Sequence, residues 1–572
     1  TFIGRLIQDY YRVDGEPLGE RNPKWLQDDY VKFIRWAQWR IERTGAGVLA
    51  FISNHGYLDN PTFRGMRQSL MNAFTDIYVL DLHGNAKKRE VSPDGSPDQN
   101  VFDIQQGVAI GIFVKEPGVT GPARVHHADH WGPREAKYAA LQDIDFAGTD
   151  WKSLQPSSPF YLFVPQDMEL WAEYETGWKL PDAMPVNSVG VVTARDSLTI
   201  HFIADDVWRT VTDLSSLPEA SARERYSLGK DSTDWKVSLA QKDVSTSGPA
   251  RSRVVPVLYR PFDVRQTYYT GTSGGFMVRP RPEVMRHMLA GPNFALHVCR
   301  QTISEGWRHV LVTDGLTDDC YVSSRTRERG YTMPLYLYPE RQTHGNQHVL
   351  QRQSHWPAGP GGRTPNLDPA FVADLEARLG LAFVTDGTGD LAATFGPEDV
   401  FHYLYAVLHS PTYRDRYAQF LKTDFPRVPL TSDVGLFREL CRLGAELTAL
   451  HLLESPALAH PFTSFPVPGS NEVAKGHPKY LAPGEPEPGS GRPLEKGRVY
   501  INETQYFQDV PPEAWEFHVG GYQVGEKWLK DRKGRVLTYD DLQHYRKVVL
   551  ALRETVRLME EVDAAIPAWP IE

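Results

Sequence analysis

The stretch Gly47-Val-Leu-Ala-Phe-Ile-Ser-Asn-His-Gly56 decides the reading of the first part of the chain. Its unbroken apolar run, Val48 to Ile52, predicts a strand buried on both faces, as in a parallel sheet. Upstream, residues 25–42 place Leu26, Tyr30, Phe33, Ile34, Ala37 and Ile41 at helical spacing with charges on the opposite face. Thr44-Gly-Ala-Gly47 ends that helix. Downstream, Asn60-Pro61 opens a second helix to about Ala73, with proline in its first turn. Residues 77–82 read as another buried strand. Residues 83–100, with Gly84, Pro93, Gly95 and Pro97, read as a polar loop, and 108–114 as a last strand. Helix, strand, helix, strand, loop, strand is an α/β layer pattern.

The rest of the chain is mixed. Strand-like pieces fall at 160–164, 189–193, 198–202, 254–259, 294–298, 309–312 and 332–338, with few long helical periods between them. Residues 341–368 are rich in Gly, Pro, Gln and His and predict a loop or linker. Helices are expected at 369–379, 401–421, 435–454 and 539–563, and an irregular Pro- and Gly-dense segment at 466–493. There is no internal repeat. Domain boundaries are expected after residues 117 and 368.

The 572 residues, 41% of them hydrophobic, suffice for several packed cores. No apolar run approaches the roughly 18–20 residues of a membrane helix, and no signal-peptide pattern is present. Cys299, Cys320 and Cys441 are too few and too scattered for a disulfide framework or a zinc site, which fits a reducing, cytoplasmic setting. The net charge of −10 weighs mildly against a nucleic-acid partner, but local basic clusters count for more than the total.

Candidate functional residues follow from placement. Rossmann-type sheets bind ligands beyond the carboxyl ends of their strands, where Ser53-Asn-His-Gly-Tyr57 sits. Asn54, His55 and Tyr57 are therefore candidates, set against a plain strand-to-helix loop. Phe102 lies in a polar stretch ahead of the last strand. An aromatic ring on a pocket-edge loop can stack on a base flipped out of duplex DNA, and the competing reading packs it in the core. Arginine suits both phosphate clamping and guanine recognition. Arg260, Arg265, Arg279, Arg281 and Arg286, interleaved with Tyr259, Phe262, Tyr268, Tyr269 and Phe276, are thus candidate DNA contacts, set against ion pairs with Asp263 and Glu283. Lys527, Trp528, Lys530 and Arg532 form a further basic run, read as phosphate contacts or a charged hairpin.

Some motifs are missing. No Gly-x-x-x-x-Gly-Lys phosphate loop or Gly-x-Ser-x-Gly elbow occurs. His126-His127-Ala-Asp-His130 superficially resembles a metal cluster but lacks a matching partner in sequence.

Several strings, in order, resemble the adenine methyltransferase and target-recognition regions of single-chain Type ISP restriction–modification enzymes. They are residues 22–35, 47–57, 63–70 and 101–110, then Tyr259-Arg-Pro-Phe-Asp263, residues 403–413, Asp424-Phe-Pro-Arg-Val-Pro429, and Gly520-Gly-Tyr-Gln-Val524 with Lys527-Trp528. The resemblance implies a partial Rossmann-like methyltransferase sheet over 1–117, then a mixed α+β target-recognition domain over 118–368 with a helical C-terminal part over 369–572. It implies methyl transfer from S-adenosylmethionine to a flipped adenine, with Phe102 stacking on the base. It further implies double-stranded DNA as partner, and an upstream nuclease, translocase and methyltransferase N-terminal half in the full-length protein. The family's Asn-Pro-Pro-Tyr and cofactor motifs are not in this chain, since Asn22-Pro-Lys24 runs into Trp25. A fragment inactive on its own is therefore expected, with no bound cofactor. The alternatives are a non-catalytic DNA-binding specificity module and, more remotely, an enzyme acting on a small metabolite.

Overall fold

The computed structural model describes every residue except 21–22, 87–89, 305, 326–327 and 340–354. Asn22, part of the expected loop at 83–100 and much of that at 341–368 lie outside the described residues. The chain divides into two compact units, 1–169 and 170–572. Neither expected boundary is a break between them.

In the first unit the predicted order holds: α1 (Asp29–Thr44), β1 (Gly47–Asn54), α2 (Arg64–Ala73), β2 (Asp76–Asp81) and β3 (Val108–Lys115). Gly45, left-handed at φ 76°, ends α1 by donating its N–H to the Ile41 carbonyl. Past the expected boundary at 117, β4 (Arg124–Asp129), α3 (Arg134–Asp143) and β5 (Lys152–Leu154) extend the same unit. The sheet order is β1-β3-β2-β4-β5. Strand β3 runs antiparallel to both β1 and β2, and β2 is parallel to β4. The carboxyl ends of β1, β2 and β4 therefore share one end of the sheet with the start of β3.

Leu26, Val31, Ile34, Met66, Leu70, Ile77, Val79, Phe113 and Val125 form this unit's core. Burial of β1 on both faces is corrected: Val48 is 64% and Ile52 43% exposed. Among the described residues no strand pairs with the outer edge of β1. On α1, Phe33 and Trp36 are likewise exposed. Residues 160–164 are not a strand. Tyr161, at φ 51°, leaves the extended conformation a strand needs, and the Phe160 carbonyl before it accepts from buried Arg67.

The second unit carries more helix than the sequence pattern indicates. It contains β6 (Ser188–Val189), α4 (Ala204–Ser216), α5 (Val237–Ser247), β7 (Val254–Arg260), β8 (Asp263–Tyr268), α6 (Pro282–Leu289), β9 (Ala295–Cys299), β10 (Val310–Thr313), β11 (Leu316–Thr317) and β12 (Gly330–Pro334). Two sheets result, ordered β10-β9-β12-β6 and β8-β7-β11. Residues 198–202 form no strand, because the N–H groups of Leu198 and Thr199 close a helical turn on the Arg195 carbonyl. Helix α7 (Pro369–Leu379) matches its predicted bounds. The helix expected at 401–421 is interrupted: α8 (Pro397–His409) stops at Ser410, which caps a new turn at Pro411 by accepting from the Tyr413 N–H. With α9 (Val434–His451), α10 (Val524–Lys530) and α11 (Tyr539–Ala565), these helices share a core joining Met333, Leu335 and Tyr336 to Phe371, Leu404, Phe437, Leu447 and Leu552. That core crosses the expected boundary at 368. Among the described residues no helix is long and apolar enough to cross a membrane.

Burial lowers the pKa of His297 and of His451 to about 3. Both are neutral in the folded chain, bonded to Thr332 and to Thr555 and Tyr405. Their stabilising effect is complete above the ordinary histidine pKa near 6.5. It is lost as pH falls toward about 3, because the unfolded chain binds protons that the fold refuses. Each contributes roughly 1.4 kcal/mol per pH unit over that window. Urea unfolding should show a midpoint that falls from pH 7 to pH 5, with a shallower slope in His451→Gln. A midpoint independent of pH would contradict this.

Candidate functional site

At the shared strand end of the first unit lies a cavity of about 660 Å³, whose lining includes Gly84, Asn85, Asn100, Phe102, Ile104 and Arg134. The loop that carries Phe102 is pinned from several sides. Buried Asn100 donates to the carbonyls of Gly84 and Gln106 and accepts from the Phe102 N–H at 2.8 Å. Arg134, on α3, donates to the carbonyls of Asn100 and Phe102 and pairs with Asp103 at 2.8 Å. Lys137, one turn further, pairs with Asp98 at 2.6 Å, both side chains fully buried. Its ammonium also donates to the carbonyls of Leu82 and Gln99, each at 2.7 Å. Asp98 in turn accepts from the N–H groups of Gly84 and Gly132. Gly84 is obligatory: at φ 79° a Cβ there would lie 2.3 Å from the Asn100 Cα.

On this frame Phe102 is 44% exposed, which excludes the core-packing reading. The other three residues predicted at the site do not line the cavity. The Asn54 carboxamide accepts from the Gly56 N–H and is spent on the turn. His55 is buried, its Nδ1 3.0 Å from the Asp81 carboxylate. Tyr57 is buried in the core beside Tyr30 and Phe63. Burial opposes ionisation of Asp81, but the hydrogen bond and charge of His55, with His83 beside it, hold its pKa down at about 2.

The predicted basic residues separate into two groups. Arg260 is buried and paired with Asp318 at 2.8 Å. Arg265 and Arg532 share Asp263, at 2.8 and 2.9 Å. Their guanidinium groups lie over aromatic rings: Arg265 over Tyr259 and Phe202, Arg532 over Trp528. Trp528 is 2% exposed. These four hold the second unit together internally, which argues against their reading as DNA contacts, because buried guanidinium groups committed to carboxylates and aromatic rings are poorly placed to reach a phosphate. Arg279, Arg286 and Lys530 are exposed, Arg281 is half-buried at the start of α6, and Lys527 pairs with Asp531.

Residues 182–561 match a family model described as the Type ISP C-terminal specificity domain. The chain belongs to this family. A comparison with curated proteins gives no match. Among solved structures, the chain is similar to the ATP-dependent Type ISP restriction-modification enzyme LlaBIII bound to DNA, at TM-score 0.68 and 19% identity, over 100% of this chain and 36% of that one. It is similar to a nuclease-deletion mutant of the Type ISP restriction-modification enzyme LlaGI in complex with a DNA substrate mimic, at TM-score 0.65 and 20% identity, over 100% and 50%. A DrdV–DNA complex gives TM-score 0.66 and 22% identity, over 98% and 54%. The chain thus spans from about a third to about half the length of these relatives.

The Type ISP specificity model covers the second unit, whereas the cavity lies in the first, ahead of the matched residues. Sequence reasoning missed Asp98, Arg134 and Lys137. The one available signal was a helix, 134–143, whose lysine points inward. Removing Lys137 leaves a buried, unpaired carboxylate, which costs about 3–5 kcal/mol. Lys137→Ala should lower stability by that order in chemical denaturation, whereas Phe102→Ala should change it by under about 0.5 kcal/mol. Near-equal effects would refute the bracing role.

Proposed function

We propose that this chain recognises a specific DNA sequence through its second unit. Its first unit would supply the rear part of an adenine methyltransferase domain, within a Type ISP restriction–modification enzyme. The observation that carries the DNA reading is the family match over 182–561, supported by a shared fold with three relatives described as DNA-bound.

The methyltransferase reading rests on the first unit. Its sheet, in which antiparallel β3 lies between β1 and β2, which run parallel to one another, is an α/β layer that can serve as part of such a domain. The open edge of β1, with exposed Val48, Ile52, Phe33 and Trp36, is an apolar surface suited to a neighbouring half of the sheet. Phe102 is the base-stacking residue in this reading. Its ring projects from a braced loop beside a cavity large enough for a purine, and stacking contributes about 1–3 kcal/mol per base.

S-adenosylmethionine would be the methyl donor of the intact enzyme. The residues present do not by themselves fit it. The glycines at this end of the sheet are closed against protein: a Cβ on Gly84 would strike Asn100, and one on Gly107 the His55 ring. Among the described residues these glycines form no backbone cradle for the cofactor, so no step involving it is assigned to this chain.

The test is selection of bound duplexes from a randomised pool, followed by a labelled-methyl assay. A short sequence should be enriched, with affinity falling as salt rises. Arg279→Ala combined with Arg286→Ala should weaken binding, and the chain alone should transfer no methyl group. Absence of any enriched sequence would refute sequence recognition. Strong transfer by the chain alone would refute the assignment of the active site.

A further inference from the structure

Beside the cavity, and independent of the methyl-transfer reading, the ends of β1, β2 and β4 bring together residues that none of the chemistry above uses. Asp81 ends β2, and its register partner Asp129 ends parallel β4. His55 opens the turn after β1, and His83, at φ 51°, turns back beside Asp81. The His55 Nδ1 lies 3.0 and 3.3 Å from the two Asp81 oxygens. The His83 Nδ1 lies 3.6 Å from Asp81 Oδ2, and its Nε2 lies 2.8 Å from Asp129 Oδ1. His55, Asp81 and His83 are all buried.

A neutral imidazole has one N–H. With its proton on Nε2 toward Asp129, His83 offers its Nδ1 lone pair beside the Asp81 carboxylate, 3.6 Å away. His55 Nε2 accepts from the Asn85 amide at 3.2 Å, which keeps the His55 proton on Nδ1, toward Asp81; as a ligand His55 carries it on Nε2, with the Asn85 amide turned to accept it. Tetrahedral zinc, with bonds of about 2.0–2.1 Å to nitrogen and oxygen, sets its ligand atoms roughly 3.3 Å apart. With one ligand atom from each residue, His55 Nδ1 and His83 Nδ1 lie 3.3 and 3.6 Å from Asp81 Oδ2, and all three atoms lie within 4.8 Å of one another. Asp129 stands where metal-binding histidines ordinarily find an outer carboxylate. The His83 ring is further fixed by stacking on Trp131 at 3.3 Å. His127 is 1% exposed, neither of its ring nitrogens has a hydrogen-bond partner among the described residues, and its Nδ1 is 3.6 Å from Asp129. Asp129 and His127 come from the histidine run that looked partnerless in sequence; the fold supplies its partners from the two preceding strand ends.

We propose that His55, Asp81 and His83 hold a divalent transition-metal ion of the zinc class, with Asp129 as the outer partner of His83. The ion would tie the ends of β1 and β2 together and, through Asp129, that of β4.

The chain, stripped with a chelator and checked for folding by circular dichroism, is titrated with Co²⁺. The expected result is one equivalent bound, with the visible bands of four-coordinate cobalt, displaced by Zn²⁺. Elemental analysis of the chain dialysed without chelator should then find about one zinc per chain. Asp81→Asn and His83→Gln should abolish the bands, Asp129→Asn should weaken binding by about 10–100-fold, and His130→Gln should leave it unchanged. A folded, unaltered chain that binds no cobalt and retains no zinc would overturn the proposal. Bands that persist in both Asp81→Asn and His83→Gln would overturn it equally.

Discussion

The buried pair between Lys137 and Asp98 organises the first unit's functional end. Two charges with no solvent exposure are tolerated only when every donor and lone pair is engaged. Here the ammonium has two carbonyls besides its carboxylate, and the carboxylate has two backbone N–H groups besides its ammonium. Those partners belong to the loop after β2, the loop before β3 and the turn before α3. Satisfying one ion pair therefore fixes three segments at once. Asn100 and Arg134 extend the same network outward to Phe102, whose ring is left exposed on an otherwise rigid support.

The second unit shows the opposite use of charge. Arg260, Arg265 and Arg532 are turned inward, matched to Asp318 and Asp263 and covered by aromatic rings. Such a network makes the packing of β7, β8 and α10 specific, since leaving any one carboxylate unpaired is costly. In the proposed reading, contact with a polyanion would fall to exposed residues such as Arg279, Arg286 and Lys530.

Much of the first unit was legible in sequence, because apolar runs and helical periods report burial directly. Residues 48–52, 77–82 and 108–114 found their strands, and α7, α9 and α11 were placed within a few residues. What failed was information held in partners. The open face of β1 cannot be told from a buried one by composition alone. The arginine clusters look alike in sequence, yet Arg532 finds its carboxylate at Asp263, 269 positions away. The strand expected at 160–164 is broken at Tyr161, left-handed at φ 51°, next to a Phe160 carbonyl that accepts from the buried Arg67 guanidinium. Phe102 was legible as an aromatic in a polar stretch, but the lysine and aspartate that support its loop were not, because a buried ion pair has no periodic signature.

Amide hydrogen exchange on the unliganded chain tests the account's central claim most directly. If the cavity loop is a preformed support, the N–H groups of Gly84, Phe102 and Gly132, which donate to Asp98 and Asn100, exchange slowly, at rates comparable to those of β2 and β3. Exchange at those amides as fast as in the exposed turn around Gly118 would show a loop that is not held, and the picture of Phe102 on a rigid platform would fail.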